Sequence, residues 1–190
     1  MHTFAFDKLD GSNIRAEWSK KKGFYKFGSR NRLLGTDQEF IHEAEGLIRT
    51  NFEKDLDGIF RNKRYERAMA FFEFGGEHSF AGTHHPEPHD VTLIDVAPYK
   101  RGMTLPREFL SLYGHLRTPA VLFQGKITED FIDSVKNGTL EDMTFEGVVC
   151  KGADPRNGKL ICMYKVKNRE WIRRLRDYCD GNEALFRRLV

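Results

Sequence analysis

Cysteine is scarce in this chain and long apolar runs are missing. The three cysteines, Cys150, Cys162 and Cys179, form neither an even set nor a CxxC. That argues against a disulfide framework and for a reducing, cytoplasmic setting. No apolar stretch approaches the roughly 20 residues of a membrane-spanning helix, so no membrane partner is expected. The first residues, MHTFAFDKLDG, lack a basic segment followed by a long apolar one, so a secretory signal is not expected either. There is no internal repeat, no low-complexity tract and no linker rich in Pro, Gly or Ser. One domain, without a seam, is the reading that leaves.

What is present suffices for a core. The chain has 190 residues, 39% hydrophobic and including 16 Phe, enough to bury a sizeable interior without disulfides. The formal charge of +3 and pI near 8.7 tilt it mildly towards polyanions, and the basic residues are unevenly placed. They crowd into Lys20 to Lys26, Arg30 and Arg32, Arg61 to Arg67, and Lys165 to Arg176.

Apolar spacing predicts one or two strands over Phe4 to Glu17, closed by a turn at Lys20 to Gly23, and another over Phe24 to Gly28. Phe40, Ile41, Ala44, Leu47 and Ile48 recur at helical spacing behind a Thr36-Asp37 cap, predicting a helix over Asp37 to Arg49. Met69 to Phe74 and Val91 to Val96 suit buried strands. Short helices are predicted at Pro106 to Leu112 and at Thr128 to Asn137, the latter stopped by Gly138. Glu146 to Lys151 and Leu160 to Val166 read as paired strands joined by a turn at Asp154 to Gly158, before a helical tail from Arg169 to Val190 broken near Gly181. Strands and helices mix without regular alternation, so the class is α+β with mainly antiparallel sheets.

Several segments carry groups that core-building does not explain. Lys8-Leu9-Asp10-Gly11 closes an apolar strand with a lysine. A free lysine has a pKa of about 10.4, so roughly one in a few thousand is unprotonated at pH 7. Partial burial and nearby cations lower that value and expose a nucleophilic amine; Arg30, Lys151, Lys165 and Lys167 are candidate neighbours. Ser29-Arg30-Asn31-Arg32 offers forked guanidinium groups suited to phosphates. Phe71-Phe72-Glu73-Phe74 puts a carboxylate inside an apolar strand, where it needs a partner. Glu146-Gly147-Val148-Val149-Cys150-Lys151 and Tyr164-Lys165-Val166-Lys167-Asn168 repeat the theme, and period two sends Lys165 and Lys167 to one face. Two like charges side by side suit a shared polyanion, and read equally as a solvated strand face.

Taken in order, these segments resemble the covalent nucleotidyltransferase superfamily of polynucleotide ligases and mRNA capping enzymes. They are most similar to the phage-type RNA ligases that seal nicks in duplex RNA. KLDGSN looks like the nucleophile motif, with Asn13 at that branch's asparagine; SRNR supplies Arg30, FFEFGG Glu73, LIDV Asp95, EGVVCK Glu146 and Lys151, and YKVKN Lys165 and Lys167. The resemblance covers roughly Asp7 to Asn168. It implies a nucleotidyltransferase domain over residues 1–168, with residues 169–190 as a basic helical tail of the same domain. Three departures stand out: Asp10 where the duplex-RNA branch carries histidine, Ile94 where an aromatic often stacks on adenine, and about 22 residues after Asn168, too few for an accessory domain.

The activity the resemblance implies is ATP-dependent ligation with Mg²⁺ or Mn²⁺. Lys8 attacks the α-phosphorus of ATP, and AMP, carried as a lysyl adduct, passes to a 5′-phosphate that a 3′-hydroxyl then joins. Lys165 and Lys167 would contact the α-phosphate, Glu73 the ribose, and the backbone beside Asp7 the adenine edge. Arg30 and Asn13 would orient phosphates, Lys151 would line the nucleotide site, Glu146 would hold the metal through waters, and Asp10 and Asp95 would orient their neighbours. The expected partner is nucleic acid, RNA in preference to DNA, with the protein monomeric; a minimal DNA ligase and a non-catalytic nucleic-acid-binding domain are the alternatives. A phage origin would suit so reduced an enzyme. His84, His85 and His89 read as a polar loop rather than a metal cluster, and Arg15 stands outside the site. Trp171, Leu175 and Tyr178 read as packing contacts. Arg173, Arg174, Arg176, Arg187 and Arg188 read equally as a phosphate track or a solvated helix face.

Overall fold

The computed structural model describes residues 2–29, 38–77, 87–153 and 161–190. It is α+β, with two four-stranded antiparallel sheets flanked by helices. The chain divides into two compact units. The first comprises Met1–Asp10, Gly76–Glu87 and Pro119–Val190, and the second Gly11–Gly75 and Pro88–Thr118. Among the described residues, no helix is long and apolar enough to cross a membrane.

In the second unit the sheet runs β3 (Gly23–Ser29), β2 (Ser12–Ser19), β4 (Arg67–Gly75), β5 (Asp90–Pro98). Alternation decides its faces. Ile14, Ala16 and Trp18 of β2 and Ala70, Phe72 and Phe74 of β4 are buried on one face. A long helical run packs there: α1 (Gln38–Ile48), a π-helical turn over Arg49–Glu53, and α2 (Lys54–Asn62). Phe52 meets Phe72 edge-on at 5.1 Å between centroids, and Phe60 meets Trp18 at 5.2 Å. Trp18 Nε1 also donates to Asp57 at 2.7 Å. The helix expected over Asp37 to Arg49 is therefore only the first part of a longer one, and the Thr36-Asp37 cap lies outside the described residues. The helix α3 (Pro106–Tyr113) completes this unit.

In the first unit the sheet runs β6 (Val121–Gly125), β1 (Thr3–Asp7), β7 (Gly147–Ala153), β8 (Ile161–Lys167). The apolar stretch before Lys8 is β1, buried along its whole length. Ala5, Val148, Cys150 and Val166 on one face pack against Phe131 and Val135 of α4 (Glu129–Asn137). Thr128 caps that helix by accepting from the Phe131 N–H, and Gly138 ends it in the left-handed conformation, φ 71°. The tail forms α5 (Arg169–Tyr178) and α6 (Glu183–Leu189), broken at Gly181 as expected. Trp171, Leu175, Cys179 and Phe186 make a satellite core with Phe145. Tyr178 is 66% exposed, so it is not the packing contact its spacing suggested; Cys179 takes the third buried place. Residues 171, 175 and 179, four apart, share one face of the helix.

Candidate active site

The face of the β6-β1-β7-β8 sheet opposite α4 gathers cations. Cross-strand register sets Phe6 opposite Val149, Phe4 opposite Lys151, Lys165 opposite Val149 and Lys167 opposite Gly147. Residues of one parity therefore share this face, which carries Lys151 near the start of β1, Lys165 further along and Lys167 beside its end. Lys8 follows β1 directly, and its N–H donates to the Gly147 carbonyl at 2.9 Å.

A charged triad lies there. Lys8 Nζ is 2.6 Å from Glu146 Oε2, and Lys167 Nζ is 2.8 Å from Glu146 Oε1. Their side chains are nearly closed off from solvent, 15% exposed for Lys8, 10% for Lys167 and 5% for Glu146. Burial pushes the Lys167 ammonium below the usual lysine range; Glu146 opposes that shift, while Lys8 and Lys165 add to it by repulsion. Lys167 also sits 3.8 Å from the centroid of the Trp171 ring, and buried Lys151 sits 4.8 Å from that of Phe6. Cations on aromatic faces recover part of the solvation lost on burial. The sequence reading looked to cations alone as the neighbours of Lys8, whereas its closest charged partner is a carboxylate that a second lysine shares.

Local backbone chemistry builds this arrangement. Glu146 precedes Gly147, whose φ is 135° and whose absent Cβ would lie 2.1 Å from the Val166 carbonyl oxygen. Only glycine permits that approach of β7 to β8. Asn168 then caps α5, its side chain accepting from the Glu170 N–H at 2.8 Å while its own N–H donates to the Glu146 carbonyl at 3.0 Å. Nothing in the motif spacing singled out Asn168 as a cap or Trp171 as the neighbour of Lys167. The Asn-x-Glu run before an amphipathic segment was the available signal.

Asp7 lies in the same unit, buried, with one carboxylate oxygen accepting from the Thr144 N–H and hydroxyl, both at 3.1 Å. Burial nevertheless raises its pKa above the usual range, and Glu146 adds to that. The N–H groups of Asp7 and Lys8 are both used, donating to Ala120 and Gly147. Asp10 is half-buried in the loop after Lys8.

In the second unit Asn13 and Glu73 are direct cross-strand partners. Asp95 is buried and pairs with Phe71, and the register then slips to Phe72 against Leu93. Ile94 is the extra residue of that irregularity, on the strand where an adenine-stacking aromatic was looked for. Arg30, His84 and His85 lie outside the described residues. His89 contacts Glu43 at 2.8 Å and the ring of Phe74, a polar packing role. Arg173 and Arg174 are paired with Glu170, Arg173 also with Asp177, and Arg176 with Glu183, which favours the solvated-face reading of the tail.

Among the described residues no three His, Cys, Asp or Glu side chains converge. Glu146 supplies a single buried carboxylate with both oxygens engaged by lysines. A cation such as Mg²⁺, which takes one or two carboxylates and keeps several waters, would have to displace at least one of these lysines from it.

Neither a protein-family model nor a curated protein matches the chain by sequence. Solved structures do match in fold. A Naegleria gruberi RNA ligase with PPi aligns at a TM-score of 0.66 and 18% identity, over 93% of this chain and 52% of that one. Variants of that RNA ligase with ATP and Mn, and with AMP and Mn, align at 0.64 with 17% and 16% identity, each over 90% of this chain and 50% of theirs. The chain thus shares the fold of those structures and spans about half their length.

Proposed function

We propose that this chain is an ATP-dependent polynucleotide ligase, acting on RNA, which carries AMP on Lys8. The observation that carries the reading is the buried Lys8–Glu146–Lys167 triad. Burying three charged groups costs several kcal/mol per ion before pairing, and apolar residues in their place are often as stable. Such a cluster in a chain that could have packed hydrocarbon instead points to chemistry. An excess of lysine over carboxylate further suits a polyanionic substrate.

Lys8 Nζ attacks the α-phosphorus of ATP. A P–N bond forms, the bond to pyrophosphate breaks, and the amine loses a proton within reach of Glu146. Lys165 and Lys167 neutralise the charge that builds on the phosphate oxygens, Lys167 the more strongly because it is nearly closed off from water while Lys165 is exposed. Lys151 lines the nucleotide site. In the second unit the Asn13–Glu73 pair has the chemistry for a phosphate and a ribose hydroxyl, as the resemblance assigns them, and Asp10 and Asp95 orient their neighbours. The N–H groups beside Asp7 are spent within the sheet, so adenine recognition there would use acceptors. Glu146 would hold Mg²⁺ or Mn²⁺, which when bound supplies charge neutralisation at the phosphates. AMP then passes to a 5′-phosphate end, which a 3′-hydroxyl joins with release of AMP.

The test is covalent labelling. Incubation with α-³²P-ATP and Mg²⁺, then denaturation, should leave acid-labile radioactivity on the parent and none on Lys8→Ala. An unlabelled parent overturns the proposal. Asp10 favours a second reading, DNA as the substrate, and preference for all-DNA over all-RNA nicks would select it.

A further inference from the structure

The outer face of the β3-β2-β4-β5 sheet, away from the helical run, changes character along its length. At one end Asn13 stands opposite Glu73. Following the same parity, Glu17 stands opposite Met69 and Ser19 opposite Arg67, and the Tyr99 N–H donates to the Arg67 carbonyl at 3.0 Å. Six residues at about 3.3 Å each separate Asn13 from Ser19, so the far end of this face lies about 20 Å from the Asn13–Glu73 pair.

That far end is basic and aromatic. Tyr25 is 40% exposed and Tyr99 59%. Lys22 lies 5.4 Å from the Tyr25 ring centroid, while Arg67 and Lys100 lie 5.8 and 5.4 Å from that of Tyr99. The Tyr25 hydroxyl donates to Glu17 at 3.0 Å, and Glu17 and Ser19 of β2 stand opposite Met69 and Arg67 of β4, so the two groups lie at one end of the same face. Lys26 extends it along β3. The interleaved acids are already matched, Glu17 to Lys26 at 3.1 Å and Glu66 to Lys20 at 3.4 Å. Both tyrosines are exposed, on the face opposite this sheet's core, with cations beside their rings.

We infer that Lys22, Tyr25, Lys26, Arg67, Tyr99 and Lys100 form a binding surface for the phosphate backbone of a polynucleotide. The surface deepens the ligase reading and rests on it for its role. About 20 Å is long enough to span several successive phosphates of one strand, which in duplex DNA recur about every 3.4 Å along the axis. A strand with one residue at the Asn13–Glu73 end would reach the patch along the same sheet face. The spacing of the cations suits a repeating anion better than a single phosphate, and the tyrosines offer stacking surfaces at its edge.

The experiment uses fluorescence anisotropy of a short labelled nicked RNA duplex across a salt series, with the full chain and Lys22→Gln/Arg67→Gln/Lys100→Gln. Affinity should fall about tenfold or more, and the slope of log affinity against log salt should shrink by about two to three, one phosphate per cation removed. Thermal melting checks the fold, and α-³²P-ATP labelling should be unchanged. Should Arg67 be needed for folding, Lys22→Glu/Lys100→Glu, both in turns, puts the same question. Unchanged affinity and slope in the folded variant overturn the surface and leave the ligase reading standing. If the parent takes no label yet the substitutions weaken RNA binding, the ligase reading fails and the surface stands. Tight binding to anionic vesicles with none to RNA also overturns it.

Discussion

At Lys167 the fold places an ammonium where burial disfavours its charge. The ammonium is held between Glu146, Trp171 and the neighbouring Lys8, and its pKa falls chiefly because burial strips away water. Between the folded and unfolded pKa values the unfolded chain binds more protons, so this group raises stability as pH rises through that window. Below the window the penalty of burying the charge is fully present. Lys167→Met keeps the apolar stem over Trp171, leaves Glu146 paired with Lys8 and removes that penalty. The melting temperature at pH 7 should hold or rise by a few degrees, given roughly 2–4 °C per kcal/mol for a chain this size. Loading of AMP should drop by about 10²–10³, the loss typical of one preorganised charge-stabilising donor. A variant that melts much earlier would mean that Lys167 serves stability, and one that loads AMP normally would remove it from the site.

At the scale of elements, the site depends on how β7 starts. Gly147→Ala places a methyl against the Val166 carbonyl and asks a non-glycine residue to hold φ at 135°. The strain should cost about 2–4 kcal/mol, lowering the melting temperature by roughly 5–15 °C. Because Glu146 is the preceding residue, the same change should reduce AMP loading at temperatures where the variant remains folded. A melting curve that overlays the parent's would contradict the constraint. This position also marks where sequence reading ends. β1, β4, β5 and the β7–β8 pair were legible because buried alternation and flanking turns announce strands, and α4 because Thr128 and Gly138 punctuate it. The run Val121–Gly125 is short, lacks alternation, and becomes a strand only because β1 pairs with it. The extension into α2 was hidden by Thr50, Asn51 and Gly58, poor helix formers that the burial of Phe52, Leu56 and Phe60 overrides. Lys8, Glu146, Lys165 and Lys167 were legible as types at spacings. That Glu146 bridges two lysines was not, because a contact between residues so far apart in sequence is created only by the pairing of β1, β7 and β8.

For the whole molecule, the net charge of +3 understates the local fields. In the first unit Lys8 and Lys167 lie around one carboxylate, nearly closed to water; at the end of the second unit's outer sheet face Lys22, Arg67 and Lys100 are open to solvent. Mobile ions screen these two sets differently, because the Debye length is about 8 Å at physiological salt and exposed charges feel it most. In the proposed reaction AMP loading would draw on the buried set and a compact triphosphate, whereas end joining would also have to hold a polynucleotide, whose binding releases about 0.7–0.9 counterion per phosphate contacted. The two half-reactions should therefore separate in a salt titration. Between about 50 and 200 mM, loading should fall gently, while joining of a nicked RNA at sub-saturating substrate should fall more steeply, its log–log slope larger by about two to three. Adding saturating RNA should recover joining at high salt, since the loss lies in binding. Parallel slopes for the two reactions would mean that the exposed cations do not engage the substrate, and that the buried lysines alone meet its phosphates.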